Sequence, residues 1–572
     1  MKKIFSYLKP YVFRMIIGLI IKLTGTIAEL LLPWILSYII DDIIPLKSIK
    51  LISLWGGAMF LCSVCALAFN IIANRMASLV SRNATERIRN DLFSSMIYLS
   101  NRQMDEVTMP SLIQRATSDT YNIHQMLGMM QRLGVRAPIM LVGGIAITLS
   151  LDPILTLAMV SVMPFIVFVL VHAYKNGIPK FQALQKKSDS FVRIVREDIS
   201  GIRVIKALSK TEYEKSKFDR YNLDVVDQEK SAGKTMSILN PAMNLFLNLG
   251  IVLVVITGAY RVNQGTTEPG KIIAFLTYVT LIINALIFIS RMFIIYSKAS
   301  ASAKRINEIL EMEPEMRVIP MEEINSGYNI EFDHVCFSYN KKGYDLQDIS
   351  FKLKKGETLG IIGATGSGKS TIVQLLMRFY DVDSGAIRIN GKDVRSFERK
   401  ELLQKFGVVF QNDFISADTI WENIRFGREI EDDDIMDAAS YAKAINFIQD
   451  KPDGFKTVLA IKGANLSGGQ KQRVLIARAL AGNPEILILD DSSSALDYKT
   501  DAALRKELRN NFSDTCTIMI AQRVSSIMYA DHIMVLDEGK IVGYGTHEEL
   551  KESCSIYREI SQSQMGEEYH EQ

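Results

Sequence analysis

Along the first 300 residues, apolar positions gather into six runs long enough to cross a bilayer, which takes about 20 residues. They centre on Met15 to Ile40, Ile52 to Ile72, Leu133 to Leu149, Ile154 to His172, Pro241 to Tyr260 and Ile272 to Ile295. The run from Ile52 to Ile72 holds no charge. A central Arg or Asp costs about 2.5–3.5 kcal/mol on insertion, against a gain of about 0.3–0.6 per Leu or Ile. The first run carries Lys22 and Glu29, so its helix must face protein or a water-filled cavity rather than lipid. Pro33, Pro138, Pro164 and Pro241 fall inside the runs, where membrane helices tolerate them.

The connections alternate in length. Short ones lie at Asp41 to Lys50, Ser150 to Pro153 and Val262 to Gly270; long ones extend from Ala73 to Gln131 and from Ala173 to Leu239. An even number of spans puts both chain ends on one side. The long connections are rich in Arg and Lys (Arg82, Arg87 and Arg89; Lys180, Lys186, Lys187, Arg193 and Arg196). The positive-inside rule therefore predicts a multi-pass plasma-membrane protein with the long connections and both termini in the cytoplasm. Phe191, Ile194, Val195, Ile199, Ile202 and Ile205 repeat at spacings of three and four, which predicts that the membrane helices continue beyond the bilayer.

From Gly327 onward the pattern changes to short apolar strands, glycine turns and charged helices, the texture of a soluble α/β domain. The expected organisation is an all-α six-helix membrane domain over 1–310, a linker over 311–327 and an α/β domain over 328–572. Composition agrees: 48% apolar together with 23% charged residues fits an apolar half joined to a polar half. A net charge of only +3 gives no basic field for nucleic acid. Five scattered cysteines (Cys62, Cys65, Cys336, Cys516, Cys554) read as buried, reduced thiols. The N-terminus has positive charge but no small-residue cleavage site, and its apolar run exceeds a signal peptide, so no cleaved leader is expected.

Chemistry concentrates in the second half. The strand Leu359 to Ile362 runs into Gly363-Ala364-Thr365-Gly366-Ser367-Gly368-Lys369-Ser370-Thr371 and then a helix. Its glycines let consecutive N–H groups curl around a phosphate, and the helix N-terminus adds its positive dipole end. Lys369 is placed for the β- and γ-phosphates of ATP and Ser370 for Mg²⁺. A second apolar strand, Ile486 to Leu489, ends in Asp490, a second Mg²⁺ ligand, followed by Asp491.

Leu466-Ser467-Gly468-Gly469-Gln470, about twenty residues before Asp490, resembles the signature of ABC transporter ATPases. Other segments follow that family's order. Tyr339 resembles the aromatic that stacks on adenine, and Gln411 the glutamine that senses Mg²⁺ and water. Ser494-Ala495-Leu496-Asp497 resembles the loop that links two ATP sites. The whole chain is similar to exporters with fused membrane and ATPase halves. Segments around Ser111 to Thr120 and Thr211 to Phe218 resemble the coupling helices that press on the ATPase domains.

Three positions depart from the pattern. Asp491 stands where the family has the water-activating Glu, Gln522 where it has a switch His, and Ile461 where exporters have a Glu. Gln can donate hydrogen bonds through its amide but cannot carry a charge or relay a proton. Two ATPase domains of this family sandwich two ATPs, each site joining one subunit's phosphate loop to the other's signature. The resemblance therefore implies a degenerate own site, with Ser467, Gly468, Gly469 and Gln470 completing the competent site of a second, non-identical half-transporter. A homodimer with two slow sites is the alternative. A chromosome-type ABC ATPase is excluded by the six spans. Glu29, Asn244, Asn248, Asn284 and Arg291 are polar residues in or near spans that either contact cargo or bond neighbouring helices. The resemblance implies a small lipophilic substrate in contact with membrane lipid, drugs first, with lipid or peptide export open.

Overall fold

The computed structural model describes residues 1–313, 316–324, 327–411, 413–492 and 494–568. Among the described residues, six helical runs are long and apolar enough to span a membrane: α1 (Lys3–Leu46), α2 (Ile49–Ile97), α3 (Met109–Leu151), α4 (Pro153–Ser200), α5 (Thr211–Asn263) and α6 (Pro269–Leu310). Each holds 42 to 53 residues. At 1.5 Å of rise per residue they reach about 63–80 Å, twice the ~30 Å hydrocarbon core.

The short connections are built from local chemistry. Between α3 and α4 only Asp152 interrupts the helix. Its carboxylate accepts from the Ile154 and Leu155 N–H groups (2.9 and 3.2 Å), and Pro153 takes the first helical position. Arg261 Nε donates to the same carboxylate at 3.1 Å, which ties this turn to α5. Elsewhere buried polar groups latch helices together. Asp119 on α3 is fully buried and accepts from Arg305 Nε (2.7 Å) and Ser302 Oγ (2.8 Å) of α6. Burial of that carboxylate is tolerable only because it is paired. Tyr278 on α6 donates its hydroxyl to the Leu30 carbonyl of α1 at 2.6 Å.

The chain divides into two compact units, Met1–Tyr98 with Thr108–Met312, and Leu99–Val107 with Glu313–Gln572. The nine residues Leu99–Val107 thus belong to the second unit. Ser100 and Gln103 close a capping box (3.1 and 3.0 Å) at the head of the helix Asn101–Val107. Gln103 Nε2 donates to the Glu313 carbonyl (2.9 Å), and Tyr380 donates its hydroxyl to Asp105 Oδ2 (2.7 Å). Residues 111–120 lie inside α3 and residues 211–218 open α5. Two short helices in the long connections are Asn101–Val107 and Ile202–Ala207. Breakers set them: Thr108 takes φ 66° after the first, and Ser209 φ 51° after the second.

Among its described residues the second unit carries ten strands: β1 (Ile330–Phe337), β2 (Leu346–Leu353), β3 (Thr358–Gly363), β4 (Ser384–Ile389), β5 (Lys392–Asp393), β6 (Phe406–Val409), β7 (Ile486–Asp490), β8 (Cys516–Ile520), β9 (His532–Asp537) and β10 (Lys540–Gly545). The first sheet has order β2-β1-β4-β5 and is antiparallel. The second has order β10-β9-β3-β8-β7-β6 and is parallel except for β10. Its strands feed two cores. Ile486 and Ile488 pack into one, Leu487 and Leu489 into the other; Ile518 and Met519 divide the same way. Burial on both faces explains why these strands read as unbroken apolar runs rather than alternating ones.

Candidate functional site

In an open α/β sheet, ligands bind outside the carboxyl ends of the strands. Here β3, β8 and β7 are neighbours, and the candidate residues follow all three: the loop 363–371 after β3, Gln522 after β8, and Asp490-Asp491 at the end of β7. A cavity of about 350 Å³ opens there. It is lined by Tyr339, Thr365, Gly366, Gly368, Lys369, Ser370, Thr371, Gln411, Asp490, Asp491 and Gln522, with Asp345 and Ile520. Eleven of the residues singled out in the sequence therefore share one site.

Gly363, Ala364 and Ser367 form the base of the loop rather than its lining. A Cβ on Gly363 would collide with the Leu536 carbonyl of β9, so only glycine lets the loop leave β3 so close to the next strand. Gly368, at φ 99°, turns the chain into the helix Lys369–Leu376. Lys369 Nζ donates to the Gly363 and Ala364 carbonyls (2.9 and 2.7 Å), folding its ammonium back over the loop. Burial lowers the Lys369 pKa, although Asp490 and Asp491 oppose the shift. Such a cradle, with backbone N–H groups at a helix N-terminus and one lysine, can bind a polyphosphate.

Ser370 Oγ donates to Asp490 Oδ2 at 3.0 Å, joining the helix to the end of β7. Asp490 is only 6% exposed, and burial raises its pKa even though the Ser370 hydrogen bond pulls the other way. Hydroxyl and carboxylate oxygens at one point are hard donors of the kind that hold Mg²⁺ through one or two protein ligands beside substrate phosphates. The donor set fits that cation, which would neutralise phosphate charge there.

Asp491 takes φ 50°, an uncommon conformation for a residue with a side chain, and Asp is among the few that tolerate it. Its N–H donates to the Ile520 carbonyl (2.9 Å) and its carbonyl accepts from Ser494 Oγ (3.0 Å). Gln522 Nε2 donates to Asp491 Oδ2 at 3.2 Å. Two of the three residues that depart from the family pattern are thus each other's partner. Burial raises the Asp491 pKa, with Gln411, Arg523 and Lys369 acting against it.

The signature lies elsewhere. Ser467 caps the helix Gly468–Leu480 in a reciprocal box with Gln470 (3.3 and 3.1 Å). Ser467 and Gly468 are exposed, and none of Ser467, Gly468, Gly469 or Gln470 lines the phosphate cavity. Gly469 backs onto the Ala495 carbonyl, so a Cβ there would approach it to 3.0 Å. Ile461, in the turn before the signature, is 75% exposed.

Residues 15–286 match the family of ABC transporter transmembrane regions and residues 346–494 the ABC transporter family. The uncharacterised ABC transporter ATP-binding protein YfiB of Bacillus subtilis is 36% identical over 99% of both chains. The chain belongs to the ABC transporters. A second relative, the uncharacterised ABC transporter ATP-binding protein Rv1273c of Mycobacterium tuberculosis, is 32% identical over 98% of this chain and 97% of its own. Among solved structures, a bacterial Atm1-family ABC exporter with ATP bound superposes with a TM-score of 0.79 at 25% identity, covering 97% of this chain and 98% of that one. This transporter is therefore an exporter-type half-transporter, a multi-pass membrane protein whose membrane and ATP-binding domains are fused. Exporters of this architecture act as dimers.

Sequence reasoning missed three contributors to the site's surroundings. Asp345 lines the cavity and accepts from the Tyr339 N–H at 2.8 Å. Tyr380 meets the Tyr339 ring edge-on at 5.1 Å. Asp105 holds Tyr380 from 275 residues away in sequence. Only the last had a local signal, the Ser100-Asn101-Arg102-Gln103 capping pattern that starts its helix.

Proposed function

We propose that this chain is the degenerate-site subunit of a heterodimeric ATP-driven exporter of hydrophobic or amphipathic molecules, small drugs among them. The single observation that carries the reading is the Gln522–Asp491 hydrogen bond. Efficient hydrolysis in this family needs a Glu to activate water and a His to contact the γ-phosphate. Here both positions are occupied by shorter or uncharged groups that engage one another. The phosphate cradle meanwhile keeps Lys369, Ser370 and Asp490 in bonding positions, so the site is equipped to hold Mg²⁺ and ATP. Tyr339 and Gln411, lining the same cavity, take the adenine-stacking and water-sensing roles.

The capped signature helix points to the complementary role. Ser467 and the exposed N–H groups after it are presented away from this chain's own cavity, ready for a γ-phosphate held by another subunit. That subunit carries the Glu and His this one lacks, so the pair is only approximately twofold symmetric. Both chain ends and the ATPase domain lie on the cytoplasmic side.

The test is a tagged pull-down from native membranes with intact mass analysis of the complex. A second, different half-transporter with Glu and His at the two positions is expected. Recovery of this chain alone would replace the reading with a homodimer that hydrolyses slowly at two equal sites.

A further inference from the structure

Outside the nucleotide site, a dense group of charges sits within and at the edge of two apolar runs. Lys22 and Glu29 lie on α1, and Arg132 and Arg136 on α3 at the start of its apolar run. Lys22 is 3% exposed, and its ammonium donates to Asn70 Oδ1 (2.7 Å) and Asn74 Oδ1 (3.1 Å) of α2, both neutral acceptors. Arg136 Nη2 donates to Glu29 Oε1 at 2.5 Å. Glu29 Oε2 and Arg136 Nε are buried and, among the described residues, have no hydrogen-bond partner. Arg132 directs Nε to the Gly128 carbonyl of its own helix (3.1 Å). Lys22 interacts electrostatically with Arg136, Glu29 and Arg132, so the four form one cluster.

The cluster holds three cations and one carboxylate, a net charge of +2, and only Arg136 bonds that carboxylate. A purely structural role accounts for the Glu29–Arg136 pair, which ties α1 to α3. It does not account for Lys22 and Arg132, because neutral amides and a backbone carbonyl stabilise a cation without cancelling its charge. Uncompensated charge in a span costs about 2.5–3.5 kcal/mol per residue, and such residues mark substrate pathways by default. The pair also stays accessible, with side-chain exposures of 32% for Arg136 and 25% for Glu29. Beside it Met292 of α6 packs directly onto Gly134, where a Cβ would meet its Cε at 2.8 Å, and supplies an adaptable apolar wall.

We propose that Lys22, Arg132 and Arg136 form a head-group site for an amphiphile bearing an acidic group, a carboxylate or a phosphate, with Glu29 orienting Arg136 and limiting the excess charge. Lipophilic cations are disfavoured at this site by the same surplus. The inference deepens the export reading and rests on it only for the fate of what binds; the binding itself needs neither hydrolysis nor unequal ATP sites.

The test uses the native complex in nanodiscs of neutral phosphatidylcholine, without ATP. The probes are 11-(dansylamino)undecanoate and its methyl ester, read by energy transfer from the membrane-domain tryptophans Trp34 and Trp55. The acid is expected to bind saturably and the ester roughly tenfold more weakly, the loss of one charge-assisted hydrogen bond. Lys22→Gln should weaken the acid by a similar factor, whereas Glu29→Gln should tighten it. Effects of opposite sign separate a binding role from a structural one, since damage to packing would weaken both variants. Should Lys22→Gln not assemble, the sign for Glu29→Gln alone decides. Equal affinity for acid and ester, or weaker binding in Glu29→Gln, would overturn the proposal.

Discussion

A carboxylate drawn back by one methylene sits about 1.5 Å further from its target, and a misplacement of roughly 1 Å can cost on the order of a hundredfold in rate. Asp491 has that deficit and is further engaged by Gln522. The substitution of Asp for Glu was legible in the sequence; the bond to Gln522 was not, because it depends on β7 and β8 lying side by side. Asp490 allows a test at this scale. Burial raises its folded-state pKa. Its contribution to stability is therefore fully present below the unfolded value of about 3.9 and is lost as pH rises through the raised folded value. Asp490→Asn, lacking a charge to bury, should melt at a higher temperature than the nucleotide-free wild type at pH 7. The difference should vanish near pH 3–4. Thermal melts across that range check it, and a variant less stable at pH 7 would refute the assignment. The same variant should lose ATP binding.

Elements were readable where burial is two-sided or caps are local. The strands leading into the phosphate loop and into Asp490 are continuous apolar runs because each face packs into its own core. The ends of the helices Asn101–Val107 and Ile202–Ala207 were not legible because helical periodicity carries straight across them; the turns at Thr108 and Ser209 decide them. That Leu99–Val107 joins the ATP-binding unit rests on Gln103 and Asp105 meeting distant groups, which no local pattern encodes. The signature helix separates cap from chemistry. Ser467→Ala removes an N-cap and should destabilise the ATP-binding unit by about 0.5–2 kcal/mol, measurable by denaturant unfolding. Turnover of the assembled exporter should fall at least tenfold, with ATP binding by this chain's own loop unchanged. A loss of turnover no larger than the loss of folded protein would reduce the motif to a cap.

At the scale of the whole molecule, unequal work at two composite sites, as proposed, has direct consequences for turnover. Asp491→Glu in this chain should change turnover of the complex by less than about fivefold, since a restored carboxylate still lacks the switch His. The equivalent loss of Glu in the partner should abolish it. Lys369→Ala should leave measurable turnover; complete loss, as deep as that from the partner lesion, would contradict unequal roles. The fused architecture was plain from six apolar runs followed by α/β patterning, but the identity of a second subunit is not written in one chain. The most direct measurement is photolabelling of the purified complex during turnover with 8-azido-ATP carrying label at either the α- or the γ-phosphate. This chain should keep both labels equally, because its bound ATP stays intact, while the partner keeps the α label and loses the γ. Loss of γ label from this chain as fast as from its partner would show that Asp491 and Gln522 support hydrolysis, and the asymmetric reading would fall.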